Sequence, residues 1–428
     1  MPCKNFTRAL VCAVGLQWTM ATVAATFSDA NWLALGSGMN GTVNALAVSG
    51  NTLYAGGSFT NAGGNAANYI AQWNGSSWSP LGSGIGGLYP CVYALAVSGG
   101  MLYAGGQFAT AGGNAANYIA QWNGSSWSPL GSGMNGVVRA LAVSGGTLYA
   151  SGEFTTAGGT TAIYIAQWNG SSWSPLGWHD GYVYTLAVLG NSLYAGSLGG
   201  VARWNGSSWS WLPGVINYPF PGFPSPGSVH ALAVSGGTLY AGGWFTTAGG
   251  NAADHIAQWN GSNWSALGSG LNGPVTVLAV SGGTLYAGGW FTTAGGNAAN
   301  RIAQWNGSSW SALGSGMNTN VYALAVSGAA LYAGGDFTTA GTNAANYVAQ
   351  AFLVWPQFQS GPVHNSDGSM TLNCCSGSNC SSRLYAATNV TSPAVWQPVC
   401  TNVTGGLWQF TDTNASGNAA RYYRLSTR

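Results

Sequence analysis

Side chains able to do acid–base or nucleophilic chemistry are scarce in this chain, where charged residues make up 4% of 428 positions. Between residues 26 and 351 the acids are Asp29, Glu153, Asp180, Asp254 and Asp336. A glycosidase or lyase needs two carboxylates facing one scissile bond, one to give a proton and one to act as base or nucleophile. Glu153, Asp180 and Asp336 are the pool from which such a pair would come. There is no Gly-x-Ser-x-Gly elbow, no glycine loop followed by a phosphate-binding Lys, and no closely spaced metal-ligand cluster. No cofactor and no metal are expected. Cys374, Cys375, Cys380 and Cys400 cluster near the C-terminus. Adjacent cysteines are poor zinc ligands, so at least one disulfide is expected among them, with Cys400 as a partner and the pairing open. Cys91 stands apart and reads as a small buried residue.

The elements that would position these groups are set by a repeat. Leu-Ala-Val begins at Leu46, Leu95, Leu141, Leu186, Leu232, Leu278 and Leu324, at spacings of 49, 46, 45, 46, 46 and 46 residues. One unit reads as a run from Val43 to Val48, a turn, a strand from Leu53 to Phe59, a polar loop, and a strand from Tyr69 to Trp73. Asn74-Gly75 then turns the chain into Trp78-Ser79-Pro80-Leu81, because Asn-Gly tolerates the positive φ of a tight hairpin. Four short strands per unit, seven times over and without helical periodicity, predict an all-β, seven-bladed β-propeller. The last unit stops at Gln350 without its fourth strand, and Asn31-Trp32-Leu33-Ala34-Leu35-Gly36 carries the missing phrase. An N-terminal strand that completes the last blade would close the ring and hide its open edges.

Among such uniform units the differences stand out. The residue before Ala-Leu-Ala-Val, or its equivalent, is Asn44, Tyr93, Arg139, Tyr184, His230, Thr276 or Tyr322. The residue after the double glycine is Ser58, Gln107, Glu153, Trp244, Trp290 or Asp336, with Ser197 in the fourth unit. The third strand opens on Tyr69, Tyr118, Tyr164, His255, Arg301 or Tyr347. All three sets fall toward one face, and they mark either a ligand surface or drift at exposed positions. The fourth unit spans 18 residues from Leu186 to Trp204, where most units span 27, and 28 from Trp204 to Leu232, where 19 is usual. The lost loop is expected to leave a notch lined by Trp178, His179, Asp180, Tyr182 and Tyr184. The gained loop, with Tyr218 and Phe220 between prolines, would flank it, and His230, Trp244 and Trp290 would follow along the ring. Stiff aromatic loops bind at low entropic cost. A plug over the gap is the alternative. The repeated Asn-Gly-Ser triplets at Asn74, Asn123 and Asn306 fit a glycosylation sequon but are better explained by turn geometry.

Leu53-Tyr54-Ala55-Gly56-Gly57, then Trp73 and Trp78, resembles the kelch motif. Over residues 29 to 350 the phrasing is also similar to the propeller repeats of the fungal cortical cell-polarity marker family and of related exported bacterial proteins. The resemblance implies the fold. Kelch-type folds include copper oxidases such as galactose oxidase, which would ask for Tyr89, Tyr93 and a Cys91-linked tyrosine, but the two His ligands find no match.

The chain ends frame this ring. Lys4 and Arg8 precede an apolar stretch from Ala9 to about Ala21, and Val23-Ala24-Ala25 offers a cleavage site, so residues 1–25 read as a signal peptide. The stretch is shorter than a membrane span and Gln17 interrupts it, so no span is expected. After cleavage seven arginines balance seven acids, and a nucleic-acid partner is not expected without clustered basic residues. Residues 26–351 form the predicted propeller. Residues 352–428, with short strand patterns and a Phe410-Thr411-Asp412 to Arg421-Tyr422 ending that resembles a terminal module of exported bacterial proteins, read as a small C-terminal β-sandwich. Three functions remain open: a secreted or surface-displayed non-catalytic protein that binds a glycan or a neutral extracellular protein surface, a propeller glycosidase or lyase, and a structural spacer.

Overall fold

The computed structural model describes residues 8–10, 27–178, 180–214, 217–220 and 223–353, together with strands beyond 353; side chains are described for 27–178, 180–214 and 227–353. The described residues contain strands and one short 3-10 turn, Asp29–Asn31, but no α-helix. No helix among them is long and apolar enough to cross a membrane. The chain divides into two compact units. One comprises Trp32–Ser327 and Leu331–Gln350; the other comprises Met1–Asn31, Gly328–Ala330 and Ala351–Arg428.

The larger unit is a β-propeller. In its first blade Val43–Ser49, Thr52–Gly57, Ile70–Trp73 and Trp78–Pro80 pair antiparallel in chain order. Five more four-stranded sheets of the same order begin at Cys91, Val138, Val183, Ser228 and Val275. A seventh joins Val321–Ser327, Ala330–Gly335 and Val348–Phe352 to Trp32–Ala34, so the strand that precedes the first blade in the chain is the outermost strand of the last blade. The innermost strands of neighbouring blades pack in a closed cycle, the last against the first. The double glycine follows from this packing. A Cβ on Gly56 would lie 2.5 Å from Val92 of the next blade, and one on Gly334 the same distance from Val43 across the closure. No side chain fits there.

Tryptophans tie the rim. The indole of Trp78 donates to the Leu35 carbonyl of the preceding blade at 2.8 Å, and Trp127, Trp173, Trp209, Trp310 and Trp32 repeat the bond to Leu81, Leu130, Leu176, Leu267 and Leu313. Trp264, only 4% exposed, breaks the series, and its indole N–H has no partner among the described residues. Its blade follows the one with the altered loops. Thr246 of the same blade also has a buried hydroxyl without a partner. In four other blades the corresponding Thr60, Thr155, Thr292 and Thr338 accept from Asn40, Asn135, Asn272 and Asn318 of the incoming connection. The junction between the fourth and fifth blades thus carries two unsatisfied polar groups, each of which costs stability.

Antiparallel chain order puts two kinds of connection on opposite faces. The turns between first and second and between third and fourth strands share one face, here called the turn face. The loops between second and third strands share the other, the loop face, with the connections between blades. On the turn face the Asn-Gly hairpins are copies of one another. Asn74 Oδ1 accepts from the backbone N–H groups of Ser76 and Ser77 and from the Ser76 hydroxyl, each at 2.9 Å. Asn123, Asn169, Asn205, Asn260 and Asn306 do the same or nearly so. The triplet therefore recurs because the turn uses it.

In the smaller unit one sheet runs Arg8–Leu10, Tyr422–Thr427, Ser382–Ala387, Gln397–Asn402. A second centres on Met370–Ser376, paired with Gln357–Phe358, Val363–His364 and Gly406–Asp412. The expected disulfide among Cys374, Cys375, Cys380 and Cys400 lies outside the residues whose side chains are described. Cys91 is free and buried.

Candidate functional site

The first of the three variable sets is a ring of β-bulges. The register of the innermost pair shifts between Val43 and Ala45, Val92 and Ala94, Val138 and Ala140, Val183 and Thr185, Val229 and Ala231, and Val275 and Val277. The residue skipped is in each case the variable one: Asn44, Tyr93, Arg139, Tyr184, His230 or Thr276. A bulge leaves one residue out of the ladder and re-aims its side chain. Neighbouring members touch across blade boundaries. Asn44 Nδ2 lies 3.2 Å from Cys91 Sγ. Arg139 stacks over the Tyr93 ring at 4.5 Å and binds Glu153 at 2.7 Å. Tyr184 stacks on His230 with centroids 4.7 Å apart. His230 Nε2 and Ser228 Oγ are 2.8 Å apart. Burial lowers the His230 pKa to about 4, so the imidazole is neutral at physiological pH. Burial likewise raises the Tyr184 and Tyr93 hydroxyls and the Cys91 thiol, which keeps the thiol a poor nucleophile.

The third set has a backbone cause. Tyr69, Tyr118, Tyr164, His255, Arg301 and Tyr347 all adopt φ between 62° and 66°. The left-handed region is costly for bulky side chains. It is held because the residue's N–H donates to the preceding Phe carbonyl and its own carbonyl accepts from the second strand, as in Tyr69 to Phe59 and Gly57 to Tyr69. Nothing in the sequence signals this, since glycine or asparagine is the usual choice.

The residues expected around the fourth blade separate into two groups. Trp178 is 3% exposed: its indole donates to the Gly181 carbonyl at 2.7 Å, and its ring packs edge-on to Trp209 at 5.0 Å and against Trp211 at 5.5 Å. It fills space that the double-glycine loop occupies over the outermost Trp in other blades, as Gly63 does over Trp78. A ligand contact through Trp178 does not fit this burial. Tyr182 is 46% exposed and rests edge-on against Tyr164. Asp180 is exposed and accepts from the Trp211 indole at 3.2 Å. His179 lies outside the described residues. The gained segment folds as a hairpin, Asn217–Phe220 against Phe223–Pro226, and Asn217 pairs with Thr247 of the fifth blade. Tyr218 and Phe220 lie on its first strand, and their side chains are not among those described.

A second group collects over the fifth to seventh blades. Trp244 and Trp290 are 36% and 42% exposed and meet edge to face with centroids 5.6 Å apart. Tyr322, on the first strand of the seventh blade, has its hydroxyl raised chiefly by burial. The Tyr322 hydroxyl donates to Asp336 Oδ2 at 3.3 Å, Asn320 Nδ2 donates to that hydroxyl at 3.2 Å, and Thr319 donates to Asp336 Oδ1 at 2.8 Å. Arg301 donates to the Trp290 carbonyl. Tyr322 and Asp336 were visible in the sequence as variable positions; Thr319 and Asn320, in the incoming connection, carried no signal of their own. The three acids of the candidate catalytic pool are thus spread over the third blade, the connection after it and the seventh blade, each with its own local partner.

No protein-family model matches the chain, and no curated protein matches it in sequence. The kelch-type resemblance therefore rests on the repeat phrase itself. Among solved structures, the chain is similar to the extracellular domain of a B. thetaiotaomicron protein described as a one-component system, at 13% identity and TM-score 0.54, over 86% of this chain and 48% of that one. It thus spans about half of that structure. It is also similar to the WD40 β-propeller domain of Doa1, at 15% identity and TM-score 0.50, over 75% of this chain and 96% of that one. At these identities the likeness is one of fold: a β-propeller-like repeat.

Proposed function

We propose that this is an exported, non-catalytic binding protein that uses the loop face of its propeller to hold a neutral glycan or a neutral protein surface. Residues 1–25 serve as the signal peptide, residues 26–351 as the propeller and residues 352–428 as a small sandwich module. One observation carries the reading. Of the nine large apolar side chains exposed among the described residues, eight stand at the loop-face ends of strands or in loop-face connections: Leu88, Tyr89, Ile163, Tyr182, Leu198, Trp211, Trp244 and Trp290. The turn-face hairpins, such as 74–77 and 123–126, are exposed too, and they are nearly invariant from blade to blade. Drift would have spread over both faces, so the structural-spacer reading leaves the asymmetry without a cause. Clustered exposed apolar groups on a soluble surface mark recognition sites.

The test is oriented capture. The full protein is immobilised through an unnatural amino acid at position 125, on the turn face, or at position 89, on the loop face, and exposed to polysaccharides and extracellular protein extracts. Retention on the first surface and its loss on the second are expected. Equal retention on both surfaces, or on neither, would remove the loop face as the binding surface.

A further inference from the structure

We infer that the loop face carries a pyranose subsite over the fifth to seventh blades, built from Trp244, Trp290, Tyr322 and Asp336, with a neutral carbohydrate as its ligand. The inference rests on the binding role proposed above and assigns its ligand class and place. Trp244 and Trp290 turn two exposed ring systems toward each other at 77° and 5.6 Å, which makes an open apolar corner. The C–H face of a pyranose fits such a surface, because aromatic faces hold apolar C–H groups while the indole edge stays polar. A sugar also needs a fixed row of acceptors and donors beside the corner. The network of Asn320, Tyr322, Asp336 and Thr319 supplies it. Each carboxylate oxygen of Asp336 accepts one bond from the protein, from Thr319 at Oδ1 and Tyr322 at Oδ2, and so keeps acceptor capacity for a hydroxyl. Because these groups already hold one another, little ordering remains to be done on binding. The charged residues of the fifth to seventh blades are Asp254, Arg301 and Asp336, one net negative charge, and the Arg301 guanidinium is engaged with the Trp290 carbonyl. With its one basic group already engaged, this surface suits a neutral ligand better than an acidic one.

The fourth-blade cluster does not offer the same chemistry. Trp178 is buried, and Trp211 spends its indole N–H on Asp180. The subsite therefore lies one to three blades beyond the place where the loop lengths change.

Isothermal titration of the mature full chain against a panel of neutral mono- and oligosaccharides tests the assignment, with acidic oligosaccharides and a peptide library alongside. At least one neutral sugar should bind. Trp244→Ala and Trp290→Ala should each weaken it tenfold or more, and Asp336→Asn severalfold. Ser125→Ala on the turn face should leave it unchanged. Thermal melts check that each variant folds, and Trp290→Phe serves if Trp290→Ala does not: it keeps a ring but loses the N–H, and should weaken binding less. Loss of binding in Tyr182→Ala with full binding in Trp290→Ala would place the ligand at the fourth blade and overturn the subsite. Binding to peptides alone would overturn the carbohydrate class while leaving the loop face as the binding surface.

Discussion

The two faces of the propeller are built from the same repeat and have different fates. On the turn face each Asn-Gly hairpin closes with the same bonds to the same asparagine oxygen, at distances that differ by about a tenth of an ångström between blades. On the loop face the bulge ring changes from Asn44 to Arg139 to His230, and one blade exchanges a loop for a hairpin. The turn face is constrained because its polar groups satisfy one another locally. The loop face can vary because a bulged residue is outside the ladder, so changing it leaves the backbone bonds in place. Where variation went furthest, at the junction of the fourth and fifth blades, the rim lost one indole bond and one hydroxyl bond.

The largest expected effect that separates the faces is acid. His230 sits in the loop-face bulge ring with its pKa lowered by burial to about 4, from the 6.5 of a free imidazole. Between these values the unfolded chain takes up a proton that the folded ring refuses, so stability rises with pH across that window. It is fully present above about pH 6.5, falls as the pH drops toward 4 and is flat below. The loss is on the order of 3 kcal/mol at most. His255, also lowered by burial, adds in the same direction. Denaturant melts from pH 7.5 to 4 should show the decline, and His230→Phe, which keeps the stack on Tyr184, should flatten much of it. An unchanged slope in that variant would mean that the junction is not the acid-sensitive point.

The next effect compares two tryptophans. Trp127 and Trp264 are equally buried and make the same tilted contact with a neighbouring Trp, at 5.5 Å in both cases. Only Trp127 donates its indole N–H. Trp127→Phe should cost about 1–2 kcal/mol more than Trp264→Phe in chemical denaturation, because it strands the Leu81 carbonyl as well as losing contact area. Equal costs would contradict the irregular junction.

Smaller still is the hairpin term. Asn123→Ala removes the acceptor for Ser125 and Ser126 and places alanine at a turn position, so a loss of about 1 kcal/mol is expected with ligand binding intact. The smallest is Trp244→Ala, which should change stability by less than about 0.5 kcal/mol, as exposed substitutions do, while binding suffers. Together the two variants ask whether stability belongs to one face and recognition to the other.

Much of the ring was legible from the sequence. The phrase spacing, the places of the hairpins and the displaced Trp32 strand follow from pattern alone, because each is local and repeats; the tight two-residue Asn-Gly turn does not form, since four residues link Trp73 to Trp78 and only Gly75 takes a positive φ. Three features were not legible. Positive φ at Tyr69 or Arg301 is imposed by the turn into the third strand, against the residue's own preference. The bulge at Tyr93 or His230 is a register effect that needs the partner strand to be seen. Trp178 was expected at a notch because a loop had been lost beside it; instead it is packed into the space, since an exposed indole next to an uncovered Trp209 gains more by burying both. That the segment from Asn217 folds as a hairpin and meets the fifth blade at Thr247 was not legible either, since the sequence showed only a stiff loop rich in proline and aromatic residues.

If the loop face is the working face, hydroxyl-radical footprinting with bound ligand will show it. The mature protein is oxidised with and without the tightest-binding saccharide of the panel, and oxidation is mapped by mass spectrometry. Protection confined to loop-face residues, strongest at Trp244 and Trp290, is expected. Protection at the Asn-Gly-Ser hairpins of the turn face, with Trp244 and Trp290 oxidised as before, would contradict it.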